Sequence, residues 1–318
     1  MRAHVVVNRR ARRLRDRGPL LDELYRSRAG VEIHETSTLA ELDAVAQTLL
    51  ARARDGARQQ RLREAIVFAG GDGSYMAGIS ALARAAGDQP LPAVAFAPGG
   101  TVGTVARNWG MKGDPVRCLA RLLDAIADGS IRCTPRPSLR VRDDRGGERV
   151  GFIFGAGLVA RFFELYDARG AGGNVAAARI VARIFAGSFI GARFARRVLD
   201  PSACTLVLDG SAAPFDRVSL LCASVVRNLG LGLRLTYRAG ERLDRFHTIA
   251  TPLGPRALGP QMPLVLAGRP LLGPRVDELV ARLELRFPAD RGAYVLDGDL
   301  FCADTVTVTA GPVLEVLG

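Results

Sequence analysis

Lysine is almost absent from this chain: Lys112 is the only one, and all other basic residues are arginine. A P-loop requires Gly-Lys followed by Ser or Thr, but Gly113 follows Lys112, which excludes a Walker-type nucleotide site. A protein-kinase fold would need its lysine on an early strand, whereas Lys112 comes after the glycine-rich segments. The scarcity of lysine therefore excludes two common phosphate-binding chemistries, and we interpret Lys112 as a surface charge.

Cysteine and histidine are also scarce. The five cysteines never form a C-x-x-C pair and their number is odd, which favours reduced thiols and a cytosolic protein. His34-Glu35 has Thr38 where a zinc hydrolase would place its second histidine, so that class is not expected. We interpret His4, His34 and His247 as structural or solvated residues rather than metal ligands.

Long apolar runs are missing as well. The longest stretch without charge, residues 89–106, is interrupted by Pro90, Pro92 and Pro98, which excludes a membrane-spanning helix. Residues 1–8 form a short apolar run followed by arginine, unlike a signal peptide. We expect a cytoplasmic protein that is soluble or lies peripherally on the inner membrane face.

What the chain does have is enough length and apolar content for folded domains. It has 318 residues, 48% hydrophobic and 24% charged, which predicts two globular domains. The net charge of +12 favours anionic partners: nucleic acid, an acidic membrane or a phosphorylated small molecule. Aromatic residues make up only 6% and no stacking motif accompanies the arginines, so we do not expect nucleic-acid binding.

The first part of the chain alternates short apolar runs with helical patterns. Such βαβα order predicts a parallel sheet with helices on both faces, a doubly wound α/β domain over residues 1–133. Ligands of such sheets bind at the carboxyl ends of the strands. The loops that follow Val7, His34, Phe68 and Ala97 are therefore the candidate site.

The second part, residues 134–318, is rich in short alternating runs typical of strands. Turn signals between them predict a β-sandwich-like domain. Residues 158–199 interrupt this pattern with a helical insertion, read as Leu158–Tyr166 and Val175–Leu199. If the second of these helices is unbroken, Arg179, Arg183, Arg193 and Arg197 form one basic stripe that could rest on anionic lipid headgroups. A solvated charged face is an equal alternative, and a solvated basic loop is the default for the arginine-rich residues 9–17.

The most informative segment is an apolar strand, Ala65–Phe68, that runs into Gly70-Gly71-Asp72-Gly73-Ser74 and then a helix. Glycines let the backbone approach a ligand closely, and the amides at a helix start favour phosphate. Asp72 is placed to act on a phosphate-bound Mg²⁺ or to orient the loop by hydrogen bonding. A tight turn with a capping Asp is the plainer alternative.

One strand later, Pro98-Gly99-Gly100-Thr101 repeats this arrangement. Two glycine-rich loops on successive strands could flank one polyphosphate, although a single such loop would be weak support.

Together, Gly70–Ser74, Pro98–Thr101 and the following Ala106-Arg107 resemble the diacylglycerol kinase catalytic family, which includes sphingosine kinases and bacterial lipid kinases. In that family a G-G-D-G-T loop and a P-x-G-T-x-N-D-x-A-R loop bind ATP. Asn228–Gly232 resembles an N-x-x-x-G turn of the second domain, and Asp297-Gly298-Asp299 resembles a D-G-E motif. The resemblance assigns nucleotide contacts to Asn8, Thr36, Gly70, Gly71, Asp72, Gly73, Ser74, Gly99, Gly100 and Thr101, with Asp72 also as the metal ligand.

The resemblance implies an ATP- and Mg²⁺-dependent kinase whose active site lies in a cleft between the two domains. Its acceptor would be a lipid hydroxyl, as in diacylglycerol, a sphingoid base or ceramide, and a carboxylate would take the hydroxyl proton. By resemblance Asp297 is that general base and Asp299 the second catalytic acid. Without the family, Asp297-Gly298 reads as a hairpin turn. Whether the protein dimerises is left open.

This sequence departs from the family pattern at several positions. Arg9 replaces the Pro after Asn8, Ser74 replaces Thr, and Asp299 replaces Glu. Gly103-Thr104 stand where the family has Asn-Asp, so a degenerate nucleotide- or lipid-binding protein of the same fold is one alternative. A small-molecule kinase of the NAD kinase type is another, although no asparagine here precedes glutamate as that family requires.

Overall fold

The structure is a computed structural model that describes residues 2–8, 11, 14, 17–58, 64–100, 103–168, 173–288 and 292–318. The chain divides into two compact units, Met1–Arg136 with Pro312–Gly318, and Pro137–Gly311. The predicted division lies at residue 133. The nucleotide and lipid roles that accompanied it remain predictions.

Unit 1 is built on one six-stranded sheet in the order β2-β1-β3-β4-β20-β5. Its strands are β1 (Arg2–Val7), β2 (Val31–Glu35), β3 (Glu64–Gly70), β4 (Val94–Pro98), β5 (Cys133–Arg136) and β20 (Leu314–Leu317). Its helices are α1 (Gly18–Arg26), α2 (Leu39–Arg58), α3 (Asp72–Ala86), α4 (Thr104–Asn108) and α5 (Pro115–Ala127). The first four strands are parallel, and β20 pairs parallel with β4 and antiparallel with β5.

The alternation of side chains along the strands sorts the core of unit 1 into two layers. Odd-numbered residues such as Val5 and Val67 pack with the apolar faces of α1 and α5. On the other face, Phe68 lies so close to α3 that a Cβ on Gly78 would lie 2.2 Å from its ring. Helices therefore cover both faces, which confirms the predicted doubly wound class.

Unit 2 contains two six-stranded antiparallel sheets and a two-stranded one. The six-stranded orders are β11-β10-β16-β19-β6-β7 and β15-β14-β13-β8-β17-β18, and β12 pairs with β9. The strands are β6 (Leu139–Asp143), β7 (Glu148–Gly151), β8 (Ile153–Gly157), β9 (Ser202–Ala203), β10 (Thr205–Leu208), β11 (Ser211–Ala212), β12 (Arg217–Val218), β13 (Leu220–Ser224), β14 (Phe246–Thr251), β15 (Val276–Val280), β16 (Arg282–Arg286), β17 (Gly292–Leu296), β18 (Asp299–Ala303) and β19 (Thr305–Ala310).

The two large sheets of unit 2 are linked by a polar contact. The Tyr294 hydroxyl on β17 donates to the Asp143 carboxylate on β6 at 2.7 Å, and Arg149 pairs with the same carboxylate at 2.8 Å. Burial raises the pKa of Tyr294, and the hydrogen bond to Asp143 raises it further. The β-rich second half predicted from the sequence is thus present as two antiparallel sheets.

The helices of unit 2 are α6 (Leu158–Asp167), α7 (Gly173–Phe189), α8 (Arg193–Leu199), α9 (Pro255–Leu258) and α10 (Met262–Ala267). The predicted helix Val175–Leu199 is wrong in one respect, because it breaks between α7 and α8 and bends by 106°. Gly191 has a φ of +63°, which favours glycine and ends the first helix. The four arginines of the predicted basic stripe therefore lie on two differently directed helices.

Among the described residues, no single helix combines the length and the apolar character needed to cross a membrane. The bent pair α7 and α8 meets that test only when the two helices are taken together.

Candidate functional site

The turn after β3 brings an uncapped helix end to the carboxyl edge of the unit 1 sheet. Helix α3 begins at Asp72 with Gly71 as its N-cap, and no described side chain caps it. The first intrahelical bond runs from the Tyr75 amide to the Gly71 carbonyl at 3.0 Å. The amides of Asp72, Gly73 and Ser74 precede it and so lack an acceptor in the helix. Such an end attracts anions, phosphate above all.

The second glycine loop packs directly on the first. The amides of Gly99 and Gly100 both donate to the Gly70 carbonyl, at 2.6 and 2.9 Å. A Cβ built on Gly100 would lie 2.5 Å from the Cα of Gly71, and one on Gly70 would lie 2.6 Å from the Ser74 Cβ. Glycine is therefore required at 100 because the two loop backbones touch, and at 70 because the Ser74 side chain lies against it. The amides of Gly99 and Gly100 are engaged within the protein, and Thr101 lies outside the described residues.

Asp72 joins the two loops from the side of α3. Its carboxylate accepts from the amides of Thr104 at 2.8 Å and Val105 at 3.0 Å, so it caps α4. The α4 N-cap, Gly103, has a φ of +59° in the left-handed region. Burial raises the pKa of Asp72 above its ordinary value, against the lowering effect of these two amides and of Arg107. Of the two predicted roles for Asp72, the structure shows the orienting hydrogen bonds.

Two other predicted residues lie at the same sheet edge. The Asn8 side-chain amide, just past β1, donates to the Ser74 hydroxyl at 2.9 Å. The Thr36 amide, just past β2, donates to the Val7 carbonyl at 3.4 Å. The structure thus brings Asn8, Thr36 and the start of α3 to the ends of three neighbouring parallel strands, which is where ligands of such sheets bind.

Tyr75 contributes to this site and was not singled out from the sequence. Its hydroxyl donates to the Ala97 carbonyl at 2.8 Å, and its ring packs edge-on against Phe96. Burial raises the pKa of Tyr75 well above its usual value. The side chain ties α3 to β4 directly before the second loop. The sequence offered one signal for this role, namely that Tyr75 is an aromatic residue directly after the glycine motif.

In unit 2, Asp297 lies in a tight hairpin turn between β17 and β18. Asp297 and Gly298 have φ of +51° and +95°, as the two central residues of a type I′ turn require. The buried Asp297 carboxylate accepts from the amides of Phe152 at 3.0 Å and Ile153 at 2.9 Å. The hairpin interpretation is therefore correct, and the turn holds this carboxylate in one orientation. Its general-base role remains a prediction.

Asp299 begins β18, and its side chain is exposed at the surface. Desolvation by neighbouring protein atoms nevertheless raises the pKa of Asp299, and the negative charge of Asp167 at the end of α6 raises it further. Two carboxylates that repel each other in this way are typical of acid and base sites. Asp167 is a residue that reading the sequence missed, because it lies more than a hundred positions away.

The predicted N-x-x-x-G turn is also present in unit 2. The Gly230 amide donates to the Asn228 side-chain oxygen at 3.0 Å, and Gly230, Leu231 and Gly232 all have positive φ. Asn228 therefore shapes this turn through a local side-chain bond.

A cleft of about 250 Å³ opens elsewhere in unit 2, between α6 and the sheets. The side chains that line it are mainly small and apolar, and Arg161 and Glu164 are the charged residues among them. The Arg161 guanidinium is fixed by the carbonyls of Val198 and Asp200, at 3.0 and 2.6 Å. None of the residues predicted as catalytic or nucleotide-binding lines it.

The fold is similar to those of solved structures. A structure of a diacylglycerol kinase from Bacillus anthracis str. Sterne is 11% identical and covers 99% of this chain and 96% of its own, with a TM-score of 0.58. Another from the same organism, described as a candidate diacylglycerol kinase, is 14% identical and covers 98% and 92%, with a TM-score of 0.66. These likenesses show the two-domain fold. No curated protein matches the chain.

Residues 2–132 match the family model described as the diacylglycerol kinase catalytic domain. This stretch contains both glycine loops and Asp72. The resemblance to the diacylglycerol kinase catalytic family is thereby confirmed over this stretch, and it supports a phosphotransferase.

Proposed function

We propose that the protein is an ATP-dependent lipid kinase that transfers the γ-phosphoryl group to the hydroxyl of a lipid such as diacylglycerol, a sphingoid base or ceramide. The observation that carries this proposal is the uncapped start of α3, held against a second glycine loop at the carboxyl edge of a parallel sheet. A helix end with free amides fits the phosphate chain of a nucleotide.

Within this proposal the loops act by preorganisation. The Gly70 carbonyl fixes the second loop through two hydrogen bonds, and Asp72 fixes α4 through two more. The amides of Asp72, Gly73 and Ser74 then meet the phosphates without further ordering. Phosphoryl transfer depends mostly on such positioning and on charge stabilisation.

The donor set at Asp72 fits a Mg²⁺ ion carried by the nucleotide. Magnesium in such sites takes one or two carboxylates together with phosphate oxygens. Two backbone amides and the Thr104 hydroxyl occupy three of the roughly four lone-pair sites of the Asp72 carboxylate, so one site remains for a metal ion. Asp72 would hold the ion, which when bound neutralises charge on the phosphates.

On the acceptor side, we propose Asp297 as the general base and Asp299 as its acidic neighbour. Two hydrogen bonds from backbone amides hold the Asp297 carboxylate in place. A general base must be held in this way, pointing toward the proton that it takes. Asp299 has a raised pKa, which brings a carboxylate closer to the working range of a base. The two roles are separable by mutation.

A lipid acceptor is supported by apolar exposure on α7 and just beyond it. Val175 is 62% exposed, Phe189 54% and Ile190 78%. Arg193 follows on α8 and is also exposed. Apolar side chains flanked by arginine suit a peripheral contact with an anionic membrane.

The test is a panel assay with labelled ATP, Mg²⁺ and vesicles that contain diacylglycerol, a sphingoid base or ceramide, with NAD included as a small-molecule acceptor. We expect a labelled phospholipid from one lipid class. Asp297→Asn should lower turnover by at least about 10²-fold while ATP still raises the Tm, as expected for loss of a general base. Equal turnover in this variant would remove Asp297 as the base.

A degenerate binding protein is the second candidate, favoured by Gly103-Thr104 in place of the family's Asn-Asp. It predicts that ATP raises the Tm while neither the lipids nor NAD are phosphorylated. If the labelled phosphate is transferred to NAD and to none of the lipids, the lipid acceptor is refuted, and the protein is a kinase with a small-molecule acceptor.

A further inference from the structure

A group of four polar side chains, His4, Glu32, His34 and Glu64, lies on one face of the unit 1 sheet. In the parallel register of β1 and β2, His4 lies opposite Glu32, and His34 lies two residues further along the same strand. Glu64 opens β3, two residues before Ile66, which pairs with His4. Side chains two positions apart point to the same face, so these four share the face that does not carry Val5 and Val67.

Three of these side chains converge. The His34 Nε2 lies 3.4 Å from the His4 Nδ1, and the same His4 nitrogen lies 3.6 Å from the Glu32 Oε2. All three atoms lie within 4.8 Å of one another. In the described part of the chain, this is the one group of three or more histidine, cysteine or acidic side chains with metal-binding spacing.

These separations suit a metal better than they suit direct hydrogen bonds. Two ligands of a tetrahedral zinc ion, each about 2.0–2.1 Å from the metal, lie about 3.3 Å apart. The measured 3.4 and 3.6 Å are close to that value. As hydrogen bonds they are long, since such bonds to nitrogen usually span about 2.7–3.2 Å. The two imidazole rings are tilted by 38° and do not stack.

The other nitrogen of His4 faces a carboxylate, as the second nitrogen of a ligating histidine often does. His4 is 1% exposed, and its Nε2 lies 3.5 Å from the Glu64 Oε2. Both atoms are buried, and neither has a hydrogen-bond partner among the described residues. An ion on Nδ1 would place the proton of His4 on Nε2, facing Glu64. This carboxylate–histidine–metal arrangement orients ligands in many metal sites.

Arg52 on α2 competes for the same carboxylate, with its Nη1 2.5 Å from the Glu32 Oε2. Both side chains of this ion pair are 45% exposed, and exposed pairs of this kind contribute little to stability. The accessible side of Glu32 also gives an ion a path to His4 and His34. A divalent cation can therefore displace Arg52 from one oxygen.

We propose that His4 Nδ1, His34 Nε2 and Glu32 Oε2 bind a borderline divalent cation, Zn²⁺ as the reference ion, with a fourth position open to solvent. Two imidazoles and one carboxylate suit zinc and its neighbours rather than Mg²⁺ or Ca²⁺. His4 and Glu32 lie early in their strands, away from the glycine loops that follow the strand ends. The ion is therefore structural or regulatory and separate from phosphoryl transfer.

The experiment is a titration of the untagged full chain, freed of metal by a chelator, with Zn²⁺ and separately with Co²⁺. We expect one Zn²⁺ per chain and the visible absorption of a tetrahedral Co²⁺ complex. His34→Gln and Glu32→Gln should each weaken binding by at least about tenfold. Arg52→Gln should strengthen it, because it removes the competing cation. Glu35→Gln, on the same strand but the opposite face, is the matched control and should bind as the parent does.

The exposed thiols are a separate source of zinc binding, so every titration is repeated in a Cys133→Ser, Cys302→Ser background. Zinc binding that disappears in this background overturns the site, as does equal affinity in parent and His34→Gln. If His34→Gln lowers the Tm of the metal-free chain, its weaker zinc binding could reflect damage to the fold. The zinc affinity of Glu32→Gln is then the test, because the Glu32 side chain is exposed. Binding unchanged by both substitutions refutes the proposal.

Discussion

Replacing Gly100 by alanine should force the two glycine loops apart. The new Cβ would lie 2.5 Å from the Gly71 Cα and 3.3 Å from the Gly71 nitrogen. Non-bonded carbons normally keep about 3.5–4.0 Å, so the backbones must separate by about 1 Å. Gly100 is not one of the glycines with positive φ, so alanine causes no backbone strain there. The loss of stability therefore comes from the contact with Gly71 alone.

The expected loss of stability follows from three contributions. Overpacking costs about 1–3 kcal/mol, and weakening the bonds from Gly99 and Gly100 to the Gly70 carbonyl costs about 1 kcal/mol for each bond lost. The smaller entropy of the unfolded alanine chain returns about 0.4–1 kcal/mol. The net free energy of unfolding should fall by about 1–4 kcal/mol. Because unit 1 carries this contact, its Tm should fall by about 2–4 °C for each kcal/mol.

Function should suffer more than stability, because a shift of 1 Å at a reacting site lowers rates by about 10²-fold. The assays are differential scanning fluorimetry with and without ATP, and phosphoryl transfer on the best lipid. Gly71→Ala, whose Cβ would lie 3.2 Å from the Gly100 Cα, should give an intermediate effect. Gly254→Ala, with no atom within 4 Å, should leave both readings nearly unchanged. If Gly100→Ala behaves like Gly254→Ala, the loops do not depend on this contact.

Four further outcomes follow from the structure. Asp72→Asn should lower the free energy of unfolding in urea by about 1–3 kcal/mol, because an amide cannot replace the carboxylate on two N–H donors; no change would contradict the cap. Gly103→Asn should be tolerated within about 1 kcal/mol, because asparagine enters the left-handed region at φ +59°, whereas Gly103→Val should lower the Tm. A thiol reagent at pH 8 should label Cys133 and Cys302 rapidly in the native chain, and mass mapping of a different pair would contradict the burial of the others. Burial lowers the pKa of His247 below its ordinary value, so protonation favours the unfolded chain: stability is full above about pH 6.5 and is lost as pH falls, and His247→Gln should flatten that loss in Tm scans.

The alternation of apolar strands and amphipathic helices predicted unit 1 well. Helix α5 shows why, since Asp114 caps it through two backbone amides and Pro115 starts it, both local signals. Strand β20 was not predicted because its partners β4 and β5 lie about two hundred positions away. The break before α8 depends on the positive φ of Gly191. From the sequence alone, a glycine at this position indicates only a weaker helix.

The sequence predicted which residues gather at the sheet edge, but it did not predict most of the contacts that they make. The motif placed Gly70 and Gly100 at the right sheet edge, but the reason for glycine differs from the one expected. A ligand was expected to approach these glycines, but in the structure a Cβ on Gly100 would meet Gly71 of the other loop and a Cβ on Gly70 would meet Ser74. The bonds from Asp72 to residues 104 and 105 could not be read from either segment alone, because they depend on how two strands place their loops.

The departure at Gly103-Thr104 bears directly on whether the protein turns over. At φ +59°, Gly103 keeps a conformation that asparagine also adopts. Two donors to Asp72 are backbone amides that any residues at 104 and 105 would supply, and the Thr104 hydroxyl is a third. The geometry of α4 therefore survives the change, and what this chain lacks is the asparagine carboxamide at 103 and one negative charge at 104, beside Asp72. Inactivity would have to arise from one of these two losses. Thr104→Asp restores the charge, so a gain in lipid phosphorylation without a change in Tm would assign the departure to charge, and loss of ATP binding would show that the hydroxyl at 104 has replaced the carboxylate.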